Sequence, residues 1–268
     1  MTAGPRLPSH ARTTIERFLA AHVRDARADG AVVGLSGGID SAVVARLAHD
    51  ALGAERVTGV LMPDAAYPAP LLRETEEYAA ALGIRTVVRP ITEVEAAFHA
   101  LQPELSDRVA VGNVKARIRM IVIYGEARGR NALVLGTGNK SELLMGYYTK
   151  WGDGGVDVLP LGDLYKTQIR ELARELGLPE AILARPPTAG LWEGQTDEEE
   201  LGVTYERLDR ILLGLEELRT ESEVAQRWGI DESVVREVVR RIHVTRHKRR
   251  LPPIPKIGLR TVGLDWRE

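Results

Sequence analysis

The sequence predicts an α/β protein in which a doubly wound parallel sheet carries helices on both faces. Two observations predict it. Short apolar runs alternate with amphipathic stretches of helical period, and a glycine-rich turn joins the first run to the helix after it. Strands buried on both faces read as continuous Val, Ile and Leu, whereas strands with one wet face alternate.

Residues 9–28 place Ile15, Phe18, Leu19 and Val23 at helical spacing, which predicts an amphipathic helix ahead of the first strand. Ala31-Val32-Val33-Gly34-Leu35 is that strand, followed by a turn at 36–41 and a helix to about residue 52. The alternation continues with a strand at 57–62, a helix at 71–82, a strand at 85–91, helices at 92–101 and 107–128, and a strand at 132–135. Residues 137–155 read as a long loop rich in glycine and polar residues, and such a stretch inside a compact domain is usually functional. Helical patterns resume at 166–176, 205–218, 221–228 and 231–249, and Pro252, Pro253 and Pro255 stop the last of them. No internal repeat is visible. The expected organisation is one domain over 1–268, with a helical part at about 196–250 and an extended tail at 251–268.

Hydrophobic residues make up 44% and charged residues 28%, an ordinary globular composition. The formal net charge of -2 creates no field that would recruit nucleic acid or an anionic membrane, so any anion site is local. No apolar run reaches the length of a bilayer crossing, and the N-terminus lacks the layout of a secretory signal, so the expected location is the cytoplasm. Cysteine is absent, which removes disulfides, thiolate metal sites and every cysteine nucleophile.

Ser36-Gly37-Gly38-Ile39-Asp40-Ser41 carries the strongest chemical signal. Two glycines allow close backbone approach to a phosphate, two serines add hydroxyl donors, and the following helix offers free N–H groups at the positive end of its dipole. The loop lacks the lysine of a Walker A motif, which excludes the familiar P-loop NTPases. Asp40 would repel an anion unless a cation stands between them, and so implies Mg²⁺ shared between protein and phosphates. Glu142, in the loop after the strand ending at Leu135, is the natural second carboxylate; its other reading is a helix N-terminal charge following Ser141.

Residues 36–41 resemble the signature of the PP-loop, or N-type ATP pyrophosphatase, superfamily, whose members split ATP between the α and β phosphates. That resemblance implies a Rossmann-like sheet of the adenine nucleotide alpha hydrolase kind. Four further blocks are similar to those of the NAD synthetases: Gly112-Asn113-Val114-Lys115-Ala116-Arg117-Ile118-Arg119-Met120, Gly136-Thr137-Gly138-Asn139-Lys140-Ser141-Glu142, residues 148–157 from Tyr148 to Asp157, and His247-Lys248-Arg249-Arg250-Leu251-Pro252. Five blocks in order are far more specific than one glycine-rich loop.

The resemblance implies a ligase of NAD biosynthesis that adenylates the carboxylate of deamido-NAD and then amidates it, releasing AMP and pyrophosphate. It implies that Gly34, Leu35, Ser36, Gly37, Gly38, Ile39, Asp40, Ser41, Thr137, Lys166 and Thr188 bind ATP, with Asp40 and Glu142 on Mg²⁺ and Asp40 and Lys166 as the catalytic groups. Arg117, Lys150, Asp157, His247 and Lys248 would hold the dinucleotide. Arginine and lysine suit its pyrophosphate and carboxylate, and aspartate suits ribose hydroxyls. Lys166 opens a helix, where a cation opposes the dipole, so an anion is expected beside it. The resemblance also implies a homodimer. The loop 63–70 departs from the more serine-rich version of the family.

Plainer readings stand beside these. The basic run 240–250 suits a solvated helix face, and His243 with His247 lacks the context of a zinc site. Residues 221–242 form either a helix-turn-helix or an ordinary αα-hairpin. Residues 196–200 read as a capped acidic helix start, and Trp192 and Trp228 as packing residues. Glutamine-dependent amidation needs a reactive cysteine, so free ammonia, or ammonia delivered by a separate protein, is the expected nitrogen donor. A tRNA-modifying PP-loop enzyme and a non-catalytic nucleotide-binding module are the rival functions. The net charge and the absence of cysteine oppose the first, and Asp40 with Glu142 opposes the second.

Overall fold

The computed structural model describes residues 4–192, 194–263, 265 and 266, so the ends of the expected 1–268 domain and positions 193 and 264 lie outside the described residues. Four strands form one sheet: β1 (Gly30–Gly34), β2 (Val57–Leu61), β3 (Arg85–Val88) and β4 (Ala132–Leu135). Their order is β3-β2-β1-β4 and every pairing is parallel, with Val33 in register with Gly59 on one side and Leu135 on the other. The chain steps outward from β1 to β3 and then returns to the far side of β1. The crevice between the carboxyl ends of β1 and β4 is therefore the switch point where doubly wound sheets bind ligands.

Side chains alternate across the sheet. Ala31, Val33, Val57, Leu61 and Leu135 face one buried cluster with α1 (Ala11–Asp25), α2 (Ile39–Leu52) and α7 (Lys166–Glu175). Val32, Val60 and Val134 face the other, against Ile123 and Ala127 of α5 (Arg108–Arg128). Both faces are dry, which is why these strands lack the polar alternation of a half-exposed sheet. The helices α3 (Ala69–Ala81) and α4 (Thr92–Leu101) flank β3 in the chain.

After β4 the structure departs from the sequence reading. The expected loop 137–155 contains a helix, α6 (Lys140–Met145), too short for periodicity to reveal. It exists because Asn139 and Glu142 form a reciprocal capping box and Gly146 closes the other end in the left-handed region at φ 62°. A Cβ on Gly146 would lie 2.3 Å from the Cβ of Thr245, so glycine also permits close packing against the C-terminal helices. The chain then returns alongside β4, where Val158 bridges Leu135 in parallel.

The remaining helices are α8 (Glu180–Leu183), α9 (Asp197–Leu201), α10 (Tyr205–Glu216), α11 (Glu221–Trp228) and α12 (Glu232–Val244). A separate cluster of Met145, Tyr205, Leu208, Leu212, Val224, Val235 and Val238 packs α10 to α12 against α6, so α11 and α12 form a packed αα-hairpin. Trp228 packs against that cluster, as expected.

Two other boundaries shift. The strand expected at 85–91 ends at Val88, although the N–H groups of Arg89 and Ile91 still donate to Leu61 and Pro63; Pro90 between them has no N–H to continue the ladder. The last helix, expected to reach 249, ends at Val244 and passes into a 3-10 turn, Arg246–Lys248. There the Arg249 guanidinium folds back onto the carbonyls of Leu143, Leu144 and Ile242. The described tail beyond residue 250 forms no helix or strand.

Candidate active site

The turn after β1 is shaped by Gly37, whose φ of 75° places it in the left-handed region; a Cβ there would sit 2.5 Å from Leu71 and 2.7 Å from Thr75. Gly38 begins α2 with no side-chain cap on the first-turn amides. Ser41 Oγ donates to the Gly38 carbonyl at 2.9 Å and lies 3.2 Å from Ser36 Oγ, which accepts from the Gly38 N–H at 3.3 Å. Residues 34–41 thus form a tight turn with uncapped helix amides, the geometry of an anion cradle.

Asp40, in the first turn of α2, meets Lys166, the first residue of α7, with Nζ to Oδ2 at 2.5 Å. Glu142 Oε1 lies 3.4 Å from the same nitrogen, and Asn139 Nδ2 donates to Asp40 Oδ1 at 3.3 Å. The sequence therefore brings Asp40, Glu142 and Lys166 together from the ends of three elements. Glu142 takes the helix-start role, with Oε2 accepting from the Asn139 N–H at 3.2 Å to close the capping box, and its Oε1 faces the lysine. Thr137 sits half-buried two residues beyond β4, and Thr188 is exposed, with its hydroxyl accepting from the Gly190 N–H at 3.1 Å.

Lys166 is held where the helix dipole opposes it by a buried network. Its own N–H donates to Ser141 Oγ at 3.0 Å, Ser141 Oγ donates to Asp209 Oδ1 at 2.5 Å, and Asp209 Oδ2 accepts from the Thr167 N–H and hydroxyl at 2.8 and 2.7 Å. Asp209 is fully buried. Its signal in the sequence is a carboxylate on the apolar stripe of Tyr205, Leu208 and Leu212, a place where charge needs partners.

Burial pushes the Glu142 carboxyl up to about 8, with Lys166 opposing the rise and Asp40 adding to it. Burial alone would lower Lys166, but Asp40 and Glu142 together hold it above its ordinary value. One lysine cannot neutralise two carboxylates. The stable arrangement is an Asp40–Lys166 ion pair with a surplus acid at Glu142, which a divalent cation would compensate.

Asp197 adds a further acid. The run 196–200 does start a helix, yet the Thr196 side chain forms no cap, and Asp197 turns inward to accept from Tyr205 at 3.0 Å. Its Oδ1 is buried without a partner, and burial raises its carboxyl. Among the described residues no group of three or more metal-ligating side chains stands ready, so the protein offers two convergent carboxylates rather than a closed cage. That donor set fits Mg²⁺ held largely by phosphates.

A second cluster contains four of the five residues expected to hold the dinucleotide. Arg117 donates to the Lys150 carbonyl at 3.3 Å, Lys150 Nζ to the His247 carbonyl at 2.9 Å, and Lys248 Nζ to the carbonyls of Gly146 and Tyr148, each at 2.7 Å. Asp157 is engaged elsewhere, accepting from the Val134 N–H at 2.8 Å and the Tyr124 hydroxyl at 3.0 Å. The loop 63–70 reaches the cradle from a third side: Tyr67 donates to the Ser36 carbonyl at 3.0 Å, and Asp64 is clamped by Lys115 at 2.9 Å and Arg119 at 3.4 Å.

A parallel sheet with its switch point at β1 and β4, a glycine-rich cradle and an acid–lysine cluster define the class as PP-loop nucleotide-binding α/β proteins. The NAD synthase family model matches residues 12–252, and the chain belongs to that family. It is 45% identical over 246 residues to the NH(3)-dependent NAD(+) synthetase of Methanococcoides burtonii, covering 91% of this chain and 94% of that one. Among solved structures, it is similar to the NMN synthetase from Francisella tularensis, with a TM-score of 0.84, 34% identity and coverage of 94% and 100%. It is also similar to the NH3-dependent NAD synthetase from Campylobacter jejuni, with a TM-score of 0.77, 32% identity and coverage of 92% and 97%.

Proposed function

We propose that this ligase of NAD biosynthesis amidates the nicotinate carboxylate of deamido-NAD with ammonia, and that residues 34–41, Thr137, Lys166 and Thr188 bind the ATP it consumes. The observation that carries the reading is the meeting of Asp40, Glu142 and Lys166 beside the glycine-rich cradle. Asp40 and Glu142 would hold Mg²⁺, which when bound neutralises the phosphate charge that these acids would otherwise repel.

A carboxylate is a poor electrophile. Its oxygen attacks the α-phosphate, pyrophosphate leaves, and the mixed anhydride with AMP is attacked at the carbonyl by ammonia, expelling AMP and releasing a proton. The cradle amides and Lys166 position and stabilise the phosphates, so catalysis comes from placement and charge, not from a covalent nucleophile. Arg117, Lys150, His247 and Lys248 lie together where they would hold the anionic substrate, with Asp157 on a ribose.

Incubation with ATP, Mg²⁺, ammonium and deamido-NAD should yield NAD, AMP and pyrophosphate in equal amounts. ATP binding without turnover would sink the reading. The likeness to an NMN synthetase favours a second reading, with the nicotinate mononucleotide as acceptor, because the same carboxylate is amidated. Comparing kcat/KM for the two acceptors decides between them, and we favour the dinucleotide on the higher identity to the NAD synthetases.

The chain is read as one unit because Ser141 to Asp209 and Tyr165 to Glu216 tie α10 to α6 and to the start of α7, which packs in the cluster under the sheet. A homodimer is what the resemblance to the NAD synthetases implies, and light scattering tests it. Among the described residues no helix is long and apolar enough to cross a membrane, in keeping with a cytoplasmic location.

A further inference from the structure

We propose that Arg185 binds the pyrophosphate end of ATP, exchanging Glu74 for phosphate oxygens; this rests on the reading that residues 34–41 hold ATP. Arg185 follows α8 and is remote from the turn in sequence, yet its Nη1 donates to the Gly37 carbonyl at the crest of the cradle. Its Nη2 lies 2.5 Å from Glu74 Oε2 on α3. Gly37, Ser41, Glu74 and Arg185 line one narrow cleft beside the turn.

Charge balance requires another cation here. The cradle carries no basic residue, and Lys166 is already shared among Asp40, Glu142 and the field of Asp197. ATP brings more negative charge than one divalent cation cancels, so a site with these acids alone would be net repulsive. Arg185 is the guanidinium already touching the turn.

Its present partner is easily exchanged. The Glu74 side chain is 49% exposed, and an ion pair that open to solvent is screened and weak. The planar guanidinium fork can meet two oxygens of a phosphate with two parallel hydrogen bonds, a stronger pairing. Arg185 also stands three residues before Thr188, so its movement would bring that segment toward the nucleotide.

The test is steady-state kinetics of Arg185→Ala, Arg185→Lys and Glu74→Gln, with pyrophosphate as product inhibitor. Arg185→Ala should raise the KM for ATP and the inhibition constant of pyrophosphate each by about tenfold or more, with the KM for deamido-NAD little changed. Arg185→Lys should recover part of the loss, and Glu74→Gln should leave the KM for ATP equal or lower. The assignment is overturned if Arg185→Ala moves neither constant, or if Glu74→Gln weakens ATP as much as Arg185→Ala, which would make the pair a structural clamp. Ser41→Ala separates the two failures: a raised KM for ATP there with silent Arg185 variants rejects Arg185 alone, while silence at both positions rejects the ATP site itself.

Discussion

Lys166 and Asp40 are 126 residues apart in the chain, and their charged atoms stand 2.5 Å apart in the fold. The Lys166 side chain is 3% exposed, and Glu142 approaches it from the other side. The pair holds a carboxylate beside the glycine-rich turn, the position at which the proposed Mg²⁺ would meet the phosphates of ATP.

Asp40→Ala should therefore abolish turnover, with kcat for NAD formation falling by at least about a hundredfold. Mg²⁺ titration of the variant should show no saturable activation. Wild-type activity would contradict the metal assignment.

Glu142 makes a pH prediction. Its carboxyl in the folded chain rises to about 8, above its ordinary value of 4.5. A raised acid contributes stability that is fully present below its unfolded value and is lost as pH climbs toward the folded one. Between about pH 5 and 8 the metal-free protein should thus lose stability through this group. Mg²⁺ needs the ionised form, so its affinity should weaken by about tenfold per pH unit below the folded value. Thermal unfolding with and without Mg²⁺ across this range measures both trends, and Glu142→Gln should flatten them.

Asp209→Asn should destabilise the fold by about 2–4 kcal/mol, because three donors point at a carboxylate and an amide nitrogen cannot accept from them. Activity should fall as well, since the same network seats Lys166. Denaturant unfolding should show one transition shifted to lower midpoint, and an unchanged midpoint would remove Asp209 from this role.

Lys248→Ala should raise the KM for deamido-NAD by about tenfold while leaving the KM for ATP unchanged. Lys248 fastens the segment at Gly146 and Tyr148, beside Lys150. Equal KM values for the dinucleotide in variant and parent would count against a substrate role for the whole cluster.

Much of this is legible in the residues. The four strands, the turn at 36–41 and the helices after it follow from apolar period and glycine placement, which act locally. Helix α6 escapes such a reading because a six-residue helix rests on its caps rather than on a periodic face. Asp197 reads in the sequence as a helix-starting acid; its inward turn toward Tyr205 depends on packing that sequence period does not encode. Arg185 offers no motif at all, and only the approach of α8 to the cradle reveals its contact with Gly37.

The sequence by itself determined the alternating α/β layout, the glycine-rich turn between the first strand and its helix and the absence of any thiol chemistry, because period, backbone freedom and composition are properties of short stretches. The tertiary structure alone decided which acid Lys166 neutralises, which is left in surplus and which groups Asp209 and Arg185 touch. Those are questions of distance and burial between segments far apart in the chain, and electrostatic energies depend on both.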